Sequence, residues 1–350
     1  MKHNHILENF DNDIDLYKSL SVAVESLISI LIESENIIPH SITSRVKDRN
    51  SLSKKIDKKG SYNSIQEITD IVGLRIITNY SDEVDKIAEV IEKEFSIDTE
   101  NSIDKRASLD SDRFGYLSLH YIVKLNPERC KLVEYKRFNG IKFEIQIRSI
   151  LQHTWAEIEH DIGYKAKFEV PKPIRRKFSM LAGLLELADE QFVQIRDDLI
   201  NYEKTVQNNI DSTPEDIGID AISIYEYVNT SSIVKEIDEK IIKLTSFDIK
   251  PINKDYFYRN VKFLQYFNIN SIAQLENELI TNKKLILKRA KDVDGDNDCV
   301  SSGISIFYLI QVLAAKNLKE NEIIDFLNKM EIGMPDEREE FAHYLSNLVV

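Results

Sequence analysis

Between Ser44 and Gly60 the chain places Arg45, Lys47, Arg49, Lys54, Lys55, Lys58 and Lys59 against only Asp48 and Asp57, a net of five positive charges. Asp70 then stands at the head of a short apolar run. Further on, Glu144, Gln146 and Arg148 alternate with Phe143, Ile145 and Ile147. A strand there turns three polar groups to one face, because strand side chains alternate. Gly115 and Tyr116 precede His120 between these segments. A carboxylate at one strand edge and a second on a neighbouring strand suit Mg²⁺, which takes hard oxygen ligands and bridges to substrate phosphates. Lysines and arginines beside them neutralise the same phosphates. Phosphoryl-type transfer asks for positioning and charge stabilisation more than covalent help from the protein, so this mixture of residues is suited to it.

Each feature alone has a plainer explanation. A charge run is ordinarily a solvated face, a lone strand histidine a satisfied core residue, and a tyrosine after glycine a loop anchor. Two other constellations fail on spacing. Asp292, Asp294, Asp296 and Asp298 alternate like a calcium loop, but its sixth position is Asn297 instead of Gly and its twelfth Gly303 instead of Glu. His153, Glu157 and His160 lie along one helix face, but their order is not that of an HExxH zinc site.

The elements that must position these residues can be read from periodicity. Leu16, Leu20, Val24, Leu27 and Leu31 predict an amphipathic helix from about Asp13 to Ile38, ended by Pro39. The basic segment reads as loop and then a short helix around Ser51 to Lys58. A buried strand is expected from about Ile71 to Thr78, and a helix over Ser81 to Glu94. A polar loop comes next from Thr99 to Phe114, then strands over SLHYIVKL and over Phe143 to Arg148. Helices are expected from Ile150 to Ile162 and from Arg175 to Val206, and Trp155 reads as helix-to-sheet packing. The result is a mixed α/β domain over 1–210. Asp211, Ser212, Thr213 and Pro214 mark a boundary to a helical region over 215–350. Its helices are expected at Ile233–Leu244, Tyr256–Phe267, Ser271–Leu279, Ile304–Ala315 and Glu320–Leu327.

A length of 350 residues, 42% hydrophobic, supports two packed domains. The net charge of −13 disfavours extended nucleic acid except where positive charge is gathered locally. Two cysteines, Cys130 and Cys299, are too few for a disulfide framework or a multi-cysteine zinc site. With no apolar run of membrane-spanning length and no signal-like start, a cytoplasmic chain without membrane contact is expected.

The segments DIVGLRII, GYLSLH and EIQIRSILQHTWAEIEHDIGYK resemble, in order and approximate spacing, the signatures of the RelA/SpoT-type (p)ppGpp synthetase domain. The likeness runs from about Arg45 to Lys165, and PIRRKFSMLAGLLELADEQF is similar to the closing helix of stand-alone members. The resemblance implies a nucleotidyltransferase-like mixed sheet flanked by helices. It also implies transfer of the β,γ-pyrophosphate of ATP to the 3′-hydroxyl of GDP or GTP, with Mg²⁺ as cofactor. Residue by residue, it makes Asp70 a Mg²⁺ ligand and Glu144 the second ligand or the base for the 3′-hydroxyl. It puts Arg45, Lys47, Lys54 and Arg75 on ATP, and Tyr116, His120, Gln146, Arg148 and, more weakly, His153 on the acceptor. Leu117 departs from the basic or polar residue usual after the motif tyrosine, which leaves the acceptor open. No hydrolase motif precedes the synthetase segments, so synthesis without hydrolysis is expected, in a homo-oligomer.

Two rival readings stay open on the sequence. A toxin-like relative would modify the 3′ end of tRNA, held by Lys172, Arg175, Arg176 and Lys177 and restrained by the C-terminal region or a partner. A non-enzymatic relative would bind nucleotide as a sensor.

Overall fold

The computed structural model describes residues 2–104, 118–165, 171–245, 248–250, 257–293 and 299–349. They divide into two compact units, Met1–Asp197 and Asp198–Val350, with the division inside a long helix. Among the described residues no helix is long and apolar enough to cross a membrane.

The N-terminal unit opens with α1 (Lys2–Ser34). This helix starts earlier than its leucine spacing suggested, because Ile6, Leu7 and Phe10 continue the buried stripe. It also stops earlier, with Asn36 in the left-handed region at φ 57°. Next comes β1 (Ser41–Val46), where the sequence reading expected a loop. Its Ile42, Ser44 and Val46 side lies toward α1, and Ser21 Oγ donates to Ser44 Oγ at 2.7 Å. The charge around this stretch had masked an alternating strand pattern.

The next helix, α2 (Arg49–Lys59), is N-capped by Asp48, which accepts from Ser51 N–H, and ends at Gly60 with φ 62°. Then come β2 (Val72–Thr78), α3 (Asp82–Glu94), β3 (Phe95–Ile97), β4 (Ile103–Asp104), β5 (Leu119–Leu125) and β6 (Phe143–Ser149). The sheet order is β1-β2-β6-β5-β3, with β4 also on β5; β2 and β6 are parallel and the other pairs antiparallel.

One face of this sheet is the core. Val72, Leu74, Ile76, Phe143, Ile145 and Ile147 are buried there with Leu20, Val24 and Ile28 of α1 and Ile87 and Ile91 of α3. Strand alternation then forces the intervening residues to the other face. Two helices complete the unit, α4 (Ile150–Lys165) and the first part of α5 (Lys172–Asn209). Trp155 packs among Leu151, Ala156, Phe178, Ala182 and Leu185, so its apolar partners join α4 to α5 instead of belonging to the sheet's core.

The C-terminal unit contains α6 (Ala221–Thr230), α7 (Ser232–Thr245), α8 (Phe257–Tyr266), α9 (Ile272–Lys291), α10 (Ile304–Asn317), α11 (Glu320–Lys329) and α12 (Arg338–Leu348). The helical expectation holds for its bulk. It missed α6, rich in β-branched and aromatic residues, as well as α12 and the parallel pair β7 (Asp248–Lys250) and β8 (Cys299–Ser301). Within the unit α10 is central, with Ile306, Leu309, Ile310 and Val312 fully buried. Asp238 of α7 accepts N–H bonds from Gly303 at 2.7 Å and Ser305 at 3.0 Å, satisfying donors at the start of α10.

Candidate active site

Register brings the distant motifs together. Arg45 of β1 pairs with Gly73 of β2, and Gly73 with Glu144 of β6. One step along, Arg75 pairs with Gln146, and Gln146 with His120 of β5. These residues share the face opposite the core. Gly73 keeps that row open: a Cβ there would meet nothing within 4 Å. Arg45, Asp70, Gly73, Arg75, Glu144 and Gln146 line one cleft. Both carboxylates singled out from sequence thus border the same space.

Asp70, just before β2, receives two ammonium groups on one oxygen. Lys47 Nζ lies 2.9 Å and Lys55 Nζ 2.8 Å from Oδ2, while Oδ1 is buried without a hydrogen-bond partner. Burial opposes the charge on Asp70, but hydrogen bonds from Lys55 and then Lys47 outweigh it and hold the carboxyl below its usual range. Lys54 is exposed and lies outside this contact. Lys55, outside the donor set that the resemblance implies, is favoured by helix geometry: at about 100° per residue it flanks the buried Leu52 and Ile56 of α2 more closely than Lys54 does. That flanking position was the available signal.

Glu144 lies in a chain of side-chain bonds. Its Oε1 is 2.8 Å from His120 Nδ1, and Oε2 accepts from Gln146 Nε2 at 3.1 Å. Gln146 Oε1 in turn accepts from Arg148 Nη2 at 2.5 Å. On the far side, His120 Nε2 is 2.6 Å from Ser118 Oγ. Glu144 as acceptor requires the proton on Nδ1, and in the neutral imidazole Nε2 then accepts from the serine. Burial raises the cost of ionising Glu144 and the charge of Asp70 adds to it. The bonds from His120 and Gln146 prevail and keep its carboxyl below the ordinary value.

Arg148 is 5% exposed. Burial, then the charge of Arg75, pushes it down to about 10, so it stays a cation at neutral pH. Arg75 Nη1 pairs with Glu157 Oε1 of α4 at 3.1 Å. Glu157, not among the site residues expected from the sequence, thus sets its charge against Arg75 of the cleft. His153 Nδ1 is 3.8 Å from the same oxygen, and its pKa is lowered by burial and then by Arg75 and Arg148. The fold therefore groups His153 with Arg75. Tyr116 and Leu117 lie outside the described residues, as do Lys105, Arg106, Asp110 and Arg113 of the charged loop and Asp294, Asp296 and Asp298.

The donor set fits a hard divalent cation. Asp70 offers a buried oxygen without a partner, Glu144 borders the same cleft, and among the described residues no group of three or more His, Cys, Asp or Glu side chains is poised around a metal. Two carboxylates completed by substrate oxygens and water would suit a hard divalent ion, unlike a protein-only cage.

Comparison with known proteins agrees with this geometry. Residues 44–169 match the model described as "Region found in RelA / SpoT proteins". GTP pyrophosphokinase YwaC of Bacillus subtilis (strain 168) is 30% identical over 201 residues, covering 55% of this chain and 92% of the relative. GTP pyrophosphokinase YjbM of the same organism is 28% identical over 159 residues, covering 44% and 71%. A crystal structure of small alarmone synthetase 2 from Bacillus subtilis superposes with a TM-score of 0.46 at 28% identity, covering 54% of this chain and 99% of the other. With that level of identity extending over nearly the whole of YwaC, the chain belongs to the RelA/SpoT-type synthetase family.

Proposed function

We propose that the protein transfers the β,γ-pyrophosphate of ATP to the 3′-hydroxyl of GDP or GTP. The observation that carries this reading is the meeting of Asp70 and Glu144 on one cleft rimmed by Arg45 and Arg75. Arg45, Lys47, Lys55 and Arg75 hold the ATP side, and their charge stabilises the oxygens of the breaking bond. His120, Gln146 and Arg148 set the acceptor side, with Tyr116 as the base platform that the family resemblance implies. Asp70 and Glu144 would hold Mg²⁺, which when bound supplies neutralisation of the triphosphate and polarisation of its phosphoryl oxygens.

In the reaction the 3′-oxygen attacks the β-phosphorus, the bridging bond to the α-phosphate breaks and AMP leaves. Glu144 takes the proton from the hydroxyl. Its carboxylate is ionised at neutral pH and already fixed by two donors, so little reorganisation is needed before the proton moves. Both curated relatives are named GTP pyrophosphokinases, which favours a guanine nucleotide over a tRNA end. Retention of both carboxylates and of the basic row argues against a sensor without turnover. The supply of ATP and guanine nucleotides favours a cytoplasmic location.

Mass spectrometry of products from ATP mixed separately with GDP, GTP, ATP and deacylated tRNA tests the reading. A guanine nucleotide gaining two phosphates at its 3′ position, with stoichiometric AMP, is expected. Pyrophosphate on the tRNA end alone overturns it.

The same proposal includes a homo-oligomer, with α5 as its contact. Ile174, Leu181, Leu184, Phe192 and Ile195 are 42–64% exposed, and at about 100° per residue they form one stripe. Leu181 and Ile195, and likewise Leu184 and Phe192, are placed symmetrically about Ala188, as an antiparallel second copy requires. Lys172, Arg175, Arg176 and Lys177 begin this helix while Asp197, Asp198 and Glu203 lie toward its end, so antiparallel pairing brings these unlike charges near one another. Light scattering should show Leu184→Glu with Ile195→Glu reducing the molar mass without loss of helicity. An unchanged mass rules out this surface.

A further inference from the structure

Two lysines on one carboxylate oxygen leave Asp70 over-neutralised. Lys47 Nζ and Lys55 Nζ stand 2.9 and 2.8 Å from Oδ2, with the three side chains only 17%, 31% and 21% exposed. Both lysines come from fixed elements. Lys47 comes directly after β1, and its N–H donates to Ile71 O at 2.8 Å; Lys55 rides on α2, capped at both ends. Among the described residues around the cleft, Arg45, Arg75 and Arg148 add three more cations, against the carboxylates of Glu144 and Glu157. A bare divalent ion approaching Asp70 therefore meets an excess of positive charge and must displace two ammonium groups from the oxygen it needs. A nucleoside triphosphate has the opposite effect, because its phosphates offer the same ammonium groups a denser negative partner.

We propose that Lys47 and Lys55 form an interlock that makes divalent-cation binding at Asp70 conditional on a nucleoside triphosphate. Without nucleotide the lysines stand in for the cation. When the triphosphate arrives it draws them away, Oδ2 is released beside the unpartnered Oδ1, and the metal is admitted with its nucleotide. The proposal rests on the pyrophosphokinase reading and assigns the lysines a second role, exclusion of free metal.

The test is Mn²⁺ binding to the full chain, monitored by loss of the free-ion signal in electron paramagnetic resonance, with and without a non-hydrolysable ATP analogue. Without nucleotide, wild type should bind weakly. Lys55→Met should bind at least about tenfold more tightly, equivalent to about 1.4 kcal/mol, and Lys47→Met should change in the same direction. Adding Asp70→Asn to Lys55→Met should abolish the gain, which locates the ion. The analogue should strengthen Mn²⁺ binding in wild type at least about tenfold and in Lys55→Met by much less. Equal nucleotide-free affinity in wild type and both lysine variants overturns the interlock while leaving the metal assignment intact. If the analogue binds but no Mn²⁺ binding depends on Asp70 in any variant, the metal assignment fails, and the interlock with it.

Discussion

His120→Ala removes the donor that contributes most to keeping Glu144 ionised, a bond of 2.8 Å to a half-buried carboxylate. A hydrogen bond to a charged group contributes about 1.5–3 kcal/mol, and one pKa unit corresponds to about 1.36 kcal/mol. Its loss should therefore raise the Glu144 pKa toward and past the ordinary glutamate range, because burial and the charge of Asp70 then act without that donor. In the wild type the depressed pKa places the acidic limb of kcat/KM below the ordinary glutamate value of about 4.3. In the variant the limb should move to higher pH. The sign for stability is the same as for any carboxylate depressed on folding. Glu144 stabilises the native state above its unfolded pKa, and this contribution is lost as pH falls through the folded one. The variant should accordingly lose part of its stability at neutral pH and show a shallower acid loss. Initial rates of AMP release from about pH 3.5 to 8, measured for wild type and variant side by side so that substrate titration cancels, read the shift directly. His120→Asn, which keeps an N–H near the Nδ1 position, should restore much of the wild-type profile. A rate loss in His120→Ala with an unmoved limb would refute the linkage and leave His120 with acceptor contact alone.

Other expectations separate site from scaffold. Gly73→Val should fold at least as stably as wild type, since its Cβ meets open space and strands favour β-branched residues. It should nonetheless lose about a hundredfold or more in kcat/KM through displacement of the reacting groups; retained activity would show that the row beside Glu144 is not where substrate lies. Lys54→Met and Lys55→Met form a matched pair one residue apart. The first should change the KM for ATP less than about twofold and the second raise it about tenfold or more, the equivalent of about 1.4 kcal/mol. The reverse order would show that the crossing of α2 with Asp70 does not govern ATP binding. In the C-terminal unit, Asp238→Ala leaves two buried N–H groups of the α10 start unpaired. It should destabilise that unit by about 2–4 kcal/mol in chemical denaturation, and a loss under about 0.5 kcal/mol would mean the cap is replaced by solvent.

Much of the site was legible because strand alternation is a local property. Phe143, Ile145 and Ile147 are fully buried while Glu144 and Gln146 face the cleft, as their order required. Arg148 breaks that simple division: it is polar and on the cleft side of the alternation, yet it is buried near the end of β6, where the chain turns into α4. The strand β1 was illegible for the opposite reason. The basic run that begins at Arg45 suggested a solvated segment, and only pairing with β2 revealed that one side of it is packed. Trp155 was expected against the sheet, but which surface a helix's aromatic meets depends on where α5 returns.

Residue order alone carries the chemical inventory: two carboxylates, a basic run and a strand face carrying Glu144, Gln146 and Arg148, together with the helical character of the second half. These derive from residue type and from periods of two and 3.6 residues. Folding of the whole unit was needed before Lys55, and not Lys54, meets Asp70, Glu157 faces Arg75, and His120 and Gln146 clasp Glu144 from two sides. Those pairings depend on sheet register and on the rotation of each helix about its axis. Both are fixed by how the apolar faces pack, a collective property that no local stretch of sequence carries alone.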